Sequence, residues 1–154
     1  MTTLRSLPGL VLLGLAAASP ALAEPVRSGA ITVERAWARA TTPGAKTGAA
    51  YLVIRNDAAQ PERILSLAAP VAGHVMAHET RRQGDVLTMQ EVPAPAVPAG
   101  GALRMEPGGM HVMLMELKGG LKPGQKFPLT VTFERSGAVQ VPVTVGGPGA
   151  MGPE

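Results

Sequence analysis

Glycine and proline interrupt this chain too often for long helices to form. The sequence contains 19 glycines and 15 prolines, and the segments between them are short and rich in valine and threonine. Short runs of β-forming residues between turn residues indicate strands, and about eight or nine such runs in series are typical of a β-sandwich or a Greek-key barrel. We therefore predict one all-β domain.

The clearest strand predictions lie near both ends of this domain. Residues Ile31–Ala38 alternate between apolar and polar, and Ala49–Asn56 is rich in β-forming residues. Phe127–Glu134 and Val139–Val145 flank a turn at residues 135–138, which predicts a hairpin. Glu62–Ala68 fits either a strand or a short helical turn.

Charge and cysteine content argue against several classes of function. The net charge is +3 and Arg81-Arg82 is the only basic doublet, so we expect no nucleic-acid partner, which would need a clustered basic face. The sequence has no cysteine. This argues against disulfides, thiolate metal sites, a thiol nucleophile, a lipid-modified N-terminal cysteine and a blue-copper centre, which needs one cysteine with two histidines.

Residues 1–23 have the pattern of a secretory signal peptide. Arg5 is followed by a largely apolar run, and Ala21-Leu22-Ala23 forms a cleavage site before Glu24. An uncleaved anchor or a core helix is the alternative, but the run is short for a membrane span, which needs about 20 residues. We predict an exported protein of the bacterial periplasm, without a membrane anchor after cleavage.

Soft and borderline metal ligands are concentrated in one stretch, residues 73–117. This stretch contains all three histidines of the chain and six of its eight methionines. The residues are His74, His78, His111, Met76, Met89, Met105, Met110, Met113 and Met115.

Residues 73–91 are predicted to form a hairpin around a turn at Gln83-Gly84. Counting outward from this turn places His78 directly opposite Met89, with their Cβ atoms about 5 Å apart. In the later run Met110–Leu117, a strand would place His111, Met113, Met115 and Leu117 on one face. If this strand approaches the hairpin, two imidazoles and two thioethers converge.

Such a ligand set favours copper, because uncharged thioethers prefer Cu(I) to zinc, calcium or magnesium. The alternative is structural, because methionine often fills hydrophobic cores. We interpret four of the methionines as packing or rim residues in preference to ligands: Met76, Met105, Met110 and Met115. His74 and Met76 are also alternative ligands, since they share a strand face with His78. No catalytic triad or carboxylate pair stands out, so we expect no enzyme.

The spacing of these ligands resembles that of a known family. His78 is followed after ten residues by Met89, and after twenty-one more by His111-Val112-Met113. This matches the H-x10-M-x21-H-x-M signature of the periplasmic copper chaperones called PCu(A)C, and the resemblance covers about residues 31–145. Other similar segments are Trp37-Ala38-Arg39, residues 48–52, 97–101, 106–109 and 129–134.

The resemblance implies a cupredoxin-like Greek-key β-barrel with a Cu(I) site formed by His78, Met89, His111 and Met113. It also implies delivery of copper towards the CuA centre of cytochrome c oxidase, often alongside a Sco-type protein, and we expect a monomer. The chain departs from the family at residues 79–81, where many members have a methionine soon after the first histidine. The four ligands are unaffected by this departure.

We therefore predict a signal peptide (residues 1–23), a copper-binding β domain (residues 24–145) and a flexible tail (residues 146–154) that lacks apolar periodicity. The predicted function is a periplasmic Cu(I) chaperone. Two alternatives stay open at this point: a metal-free secreted interaction domain and a copper redox protein.

Overall fold

A computed structural model describes residues 23–153, which form eleven β-strands, and this confirms the predicted all-β class. The predicted signal peptide lies outside the described residues except for Ala23. Between residues 23 and 153, no helix is long and apolar enough to span a membrane. The strands are β1 (Val26–Ser28), β2 (Ile31–Arg39), β3 (Thr47–Asn56), β4 (Glu62–Ala68), β5 (Ala72–Gln83), β6 (Val86–Glu91), β7 (Ala96–Val97), β8 (Gly101–Met105), β9 (Met110–Leu117), β10 (Lys126–Phe133) and β11 (Gly137–Gly146).

The strands pair in the order β6-β5-β9-β3-β2-β11-β10-β4-β7, with β1 on β2 and β8 on β3. The pairing of β2 with β11 is parallel, and the hairpins β5–β6 and β10–β11 are antiparallel. Three strands that are distant in sequence, β5, β9 and β3, are therefore neighbours. This places both predicted ligand segments side by side.

A bulge in β2 allows this strand to change neighbours along its length. Its first residues, Ile31–Val33, pair with β1, whereas Trp37–Arg39 pair with β11. Between these segments the register with β3 shifts, and Arg35 has a φ of 56°. Because a bulge bends and twists a strand, it helps the sheet to curve around the core.

Strands β10 and β11 bury alternate residues, as expected for a sheet with one buried face. In the β10–β11 hairpin the buried residues are Phe127, Leu129, Val131, Phe133, Val139, Val141, Val143 and Val145. In β5, β9 and β3 the residues facing the core include Ala77, Val112 and Ala50. Their neighbours in sequence therefore lie on the outer face of these three strands.

Glu62 at the start of β4 holds the turn of the β10–β11 hairpin. Its Oε1 accepts hydrogen bonds from the backbone N–H groups of Arg63 and Arg135, and its Oε2 accepts bonds from the N–H and hydroxyl of Ser136. Burial alone would raise the pKa of this carboxyl, but these hydrogen bonds together lower the pKa below its ordinary value.

The strands predicted near both ends of the domain are present, with bounds within two residues of those expected. Glu62–Ala68 is a strand, not a helical turn: Ile64 is buried while Arg63 and Leu65 on either side are exposed, which is the period of a strand. The structure also has more strands than predicted, because short segments such as β1 and β7 have little sequence signal.

The segment predicted as a flexible tail contacts the barrel in the described residues. Gly146 is the last residue of β11, and Ala150 is buried against Trp37 and Tyr51. The Arg39 guanidinium donates two hydrogen bonds to the Ala150 carbonyl, at 3.0 and 2.8 Å. Flexibility of residues 146–154 in solution stays a prediction.

Candidate metal centre

The predicted β5–β6 hairpin is present, but its turn lies one residue further along the chain. Gln83 pairs with Val86, so the loop is Gly84-Asp85 instead of Gln83-Gly84. Gly84 has a φ of 61°, and glycine with positive φ at the first loop position is typical of a type II′ hairpin turn. Glycine thus determines where the chain reverses.

This shift makes the predicted opposition of His78 and Met89 wrong. Met89 lies directly opposite Thr80, and His78 lies opposite Glu91. Moving the turn by one residue changes every partner by two, and residues two apart share a face of the strand. Met89 therefore stays on the face of His78, at a diagonal position from which a long side chain can reach it.

Strand β9 brings the second histidine against the first. In the antiparallel pairing of β5 with β9, His78 lies directly opposite His111 and Met76 lies opposite Met113. The imidazole rings have centroids 6.2 Å apart and are inclined by 58°. His78 and His111 are thus adjacent, and Met113 occupies the next outward position on β9.

Both ring nitrogens of His78 are buried, and neither has a hydrogen-bond partner among the described residues. An unsatisfied buried polar atom costs about 1–3 kcal/mol, so native structures rarely keep one without a reason. A bound cation removes this cost at one of the two nitrogens, because that nitrogen then donates its lone pair to the ion. The surroundings of His78 therefore fit a metal ligand.

His111 is oriented by its own strand. The residue is 5% exposed, and its Nδ1 lies 3.1 Å from the carbonyl oxygen of Gly109. Because a carbonyl oxygen only accepts hydrogen bonds, Nδ1 carries the proton, and the lone pair of Nε2 remains for a metal. A hydrogen bond on the second nitrogen of a histidine is the usual way in which proteins fix a ligating imidazole.

The two thioethers lie at different depths. Met89 is on the edge strand β6 and is 60% exposed, whereas Met113 is half-buried on the central strand β9. Neither methionine belongs to the hydrophobic core of the described residues, which contains Met105 and contacts Met110. Packing thus accounts for Met105 and Met110 but does not account for Met89 and Met113.

The predicted common face of β9 ends before Leu117. Glu116 has a φ of 55°, and Leu117 is buried in the same core as Leu114. The positive φ reverses the alternation at the end of the strand. The outer face of β9 therefore carries His111, Met113 and Met115 only.

Sequence reasoning did not predict which outward residues of β5 and β9 are paired. His74 lies directly opposite Met115, in addition to the pairing of Met76 with Met113. His74 is exposed, and Met76 and Met115 are half-buried. Their presence on one strand face was visible in the sequence, but the register between two strands distant in the chain was not.

Methionine is necessary for any metal site formed at this place. Within residues 23–153, no group of three or more histidine, cysteine, aspartate or glutamate side chains could hold a metal ion. The nearest acid by pairing is Glu91, directly opposite His78, while Glu79 forms an ion pair with Arg81. Two imidazoles with thioethers are a donor set that favours Cu(I) over harder ions.

Aromatic residues border the site along the same outer face. Ala49 on β3 lies directly opposite Met113, and it packs against a cluster of Trp37, Tyr51 and Ala150. The rings of Trp37 and Tyr51 have centroids 4.6 Å apart. Aromatic and apolar side chains therefore cover the outer side of β3 next to Met113.

Comparison with known proteins identifies the family of this chain. A family model described as "Putative lipoprotein LpqE-like" matches residues 31–145. The chain is also 33% identical over 116 residues to "Putative lipoprotein Lxx21020" of Leifsonia xyli subsp. xyli (strain CTCB07), an alignment that covers 75% of this chain and 69% of that protein.

Solved structures give the same result. The apo PCuAC domain of PmoF2 matches with a TM-score of 0.72 and 26% identity, covering 84% of this chain and 99% of that domain. Its copper-bound form matches with a TM-score of 0.70 and 25% identity, covering 81% and 99%. CuI-DR1885 from Deinococcus radiodurans matches with a TM-score of 0.60 and 32% identity, covering 82% of this chain and 81% of that protein.

These likenesses confirm the cupredoxin-like fold that the sequence predicted. They also confirm the resemblance on which that prediction was based, since the solved relatives are PCuAC domains. The matched region, residues 31–145, includes the candidate metal centre. The chain belongs to the LpqE-like family, which is the PCuAC-type family of β domains.

Proposed function

We propose that this protein is an exported, non-enzymatic copper chaperone, which binds one Cu(I) through His78, Met89, His111 and Met113 and transfers it to an acceptor protein. The observation that supports this most strongly is the pairing of His78 with His111 beside thioethers that the core does not use. Both nitrogens of His78 are buried without a protein partner, which is unfavourable unless the ring binds a ligand.

The donor set suits reversible binding of Cu(I). Two neutral imidazoles and two thioethers leave a single positive charge on the site, and Glu91 opposite His78 places a carboxylate nearby. Soft thioethers select Cu(I), but they bind it less firmly than thiolates would. Since Met89 is largely exposed, an incoming acceptor ligand can replace it first, which permits transfer without release of free copper.

The relatives support the choice of metal. One solved neighbour is a copper-bound PCuAC domain and another is in the Cu(I) form. We therefore assign copper, as Cu(I), to the corresponding face of this chain. The family resemblance implies that copper is passed to a partner protein, which supports a carrier role in preference to a metal-free scaffold or a redox protein.

An anaerobic titration with Cu(I) against a competing chelator tests the ligand set. The purified protein should bind one Cu(I) ion more tightly than any further Cu(I) ion. Binding of this ion should be weakened by each of four substitutions: His78→Ala, His111→Ala, Met89→Leu and Met113→Leu. Met151→Leu is the matched control, because this methionine is exposed and lies after β11, outside the strands β5, β6 and β9. Unchanged affinity in Met89→Leu and Met113→Leu would contradict the assignment.

The acceptor we propose is the CuA site of cytochrome c oxidase or a Sco-type protein, as the family resemblance implies. Mixing the Cu(I)-loaded chaperone with a purified apo CuA domain, and separately with an apo Sco-type protein, tests this by native mass spectrometry. Transfer to either protein should be faster than transfer of the same copper from a small chelator of equal affinity. Equal rates with both donors would contradict a specific partner.

For localisation, we propose a periplasmic form that is released by cleavage after Ala23 and carries no membrane anchor. The lipoprotein names of the family and of the Leifsonia relative support export, and the sequence contains no cysteine for lipid attachment. Fractionation of cells followed by N-terminal sequencing should give a periplasmic protein that begins at Glu24. Recovery in the membrane fraction would contradict this form.

A further inference from the structure

Three consecutive outward positions along β5 and β9 carry histidine or methionine on both strands. His78 lies opposite His111, Met76 opposite Met113, and His74 opposite Met115. Directly opposed residues share a face, and so do residues two apart on a strand. We call these six residues, from His74 to His78 on β5 and from His111 to Met115 on β9, the His–Met seam.

We infer that the far end of the His–Met seam is a second Cu(I) site, formed by His74, Met76 and Met115. This inference rests on the proposed function for the identity of the ion, since it extends the same donor chemistry along the same face. His74 and Met115 are direct cross-strand partners, and Met76 is diagonal to Met115. One imidazole and two thioethers can give Cu(I) three-coordinate ligation.

Packing does not explain these methionines. The hydrophobic core of the described residues contains Met105 and contacts Met110, but it includes neither Met76 nor Met115. Both are half-buried on the outer face, next to the exposed ring of His74. Solvent can reach this end of the seam, so an arriving ion can reach it before the more buried His111.

The second site is expected to be weaker than the first. It has one ligand fewer, and adjacent positions on one strand face are about 7 Å apart, so an ion already bound between His78 and His111 repels another one. Met76 lies between the two sites and opposite Met113, a ligand of the first. A weak outer site beside a tighter inner one allows an ion to move along the seam by exchange of one thioether at a time.

Native mass spectrometry of the full protein, titrated anaerobically with Cu(I), tests this inference. The parent should bind two ions in sequence, the second about tenfold or more weakly than the first because of its smaller ligand set and the nearby charge. His74→Asn and Met115→Leu should each abolish the second ion and leave the affinity for the first unchanged. Met151→Leu should still bind two ions.

The NMR signals of the methionine methyl groups give an independent readout. The methyls of Met89 and Met113 should shift with the first equivalent of Cu(I), and those of Met76 and Met115 with the second. Binding of a single ion by the parent, or retention of the second ion in the His74→Asn, Met115→Leu double variant, would overturn the inference and leave the proposed function intact. Binding of no ion at all would overturn both.

Discussion

His78 and His111 face each other across the β5–β9 pairing, with ring centroids 6.2 Å apart. Only one of these rings is held by the protein: Nδ1 of His111 donates to Gly109, whereas within the described part of the chain both nitrogens of His78 lack a partner. The protein therefore fixes the orientation of His111 by a hydrogen bond but does not fix that of His78 in this way. This asymmetry gives different expectations for the two histidines.

Replacing His78 should weaken Cu(I) binding without destabilising the protein. In His78→Leu the buried unsatisfied nitrogens are removed, so the free energy of unfolding of the metal-free protein should stay equal or rise by about 1 kcal/mol. In His111→Leu the bond to Gly109 is lost, and the free energy of unfolding should fall by about 1 kcal/mol. Urea unfolding of both variants measures this difference.

The opposite order of stabilities would show that the metal-free state satisfies His78 and not His111. Copper binding should be weaker in both variants, as measured by the same chelator competition. The two variants therefore distinguish His78, whose ring lowers the stability of the metal-free protein, from His111, whose ring raises it.

Replacing Met89 should change the kinetics of release more than stability. Met89 is 60% exposed on the edge strand, so Met89→Leu should leave the free energy of unfolding within about 0.5 kcal/mol of the parent. Loss of this thioether should speed the dissociation of Cu(I), because one ligand fewer must be displaced. Stopped-flow transfer to an excess of chelator measures the rate.

Leu87 is a suitable control, since it is another exposed apolar residue of β6. Leu87→Ala should not change the rate of release. If Met89→Leu released copper at the parental rate, Met89 would not be a ligand.

The conformation of the β5–β6 turn should affect Cu(I) binding, because the turn determines the register between these two strands. Gly84 has a φ of 61°, and no atom lies within 4 Å of a Cβ added there. Gly84→Ala therefore adds only backbone strain, of about 1–2 kcal/mol. The strain should lower the free energy of unfolding and weaken Cu(I) binding, because the turn aligns Met89 with β5.

Gly149→Ala is the matched control: a Cβ there is equally free of contacts, and no positive φ is involved. This variant should retain the parental stability and affinity. Equal effects of the two substitutions would show that the turn does not determine the register.

Much of this domain could be predicted from local sequence patterns. The strand β9 has the predicted bounds, Met110–Leu117, because a short, mostly apolar run after a Pro-Gly-Gly turn is a strong local signal. The faces of His78 and Met89 were also predicted correctly, although their direct opposition was not. A two-residue change in partners preserves the face, so the predicted common face of His78 and Met89 is correct despite the error in the turn.

Features that depend on distant contacts could not be predicted in this way. The pairing of His78 with His111 joins strands far apart in sequence, and no local pattern gives that register. The positive φ values of Arg35 and Glu116 are equally invisible, because these residue types rarely adopt that conformation. They follow from the way in which β2 and β9 fit the surrounding sheet.

Glu62 should stabilise the fold only while it is ionised. Its four hydrogen bonds lower the pKa of the carboxyl in the folded state, so the stabilisation is present above the pKa of the unfolded chain and is lost as the pH falls through the folded pKa. Glu62→Gln should lower the free energy of unfolding by about 1–2 kcal/mol at neutral pH. The difference from the parent should decrease in acid.

Glu34→Gln provides the control, since Glu34 forms an ion pair with the exposed Arg55 and surface pairs contribute about 0–1 kcal/mol. Chemical unfolding at neutral and acidic pH measures both variants. A Glu62→Gln deficit that stayed constant down to strongly acidic pH would contradict the role of its charge.

X-ray absorption spectroscopy at the copper edge identifies which atoms of the protein bind the ion. The protein is loaded anaerobically with one equivalent of Cu(I), so that only the tightest site is occupied. We expect Cu(I) with two nitrogen and two sulfur neighbours, and the loss of one sulfur in Met113→Leu. A first shell of nitrogen and oxygen without sulfur would contradict this assignment.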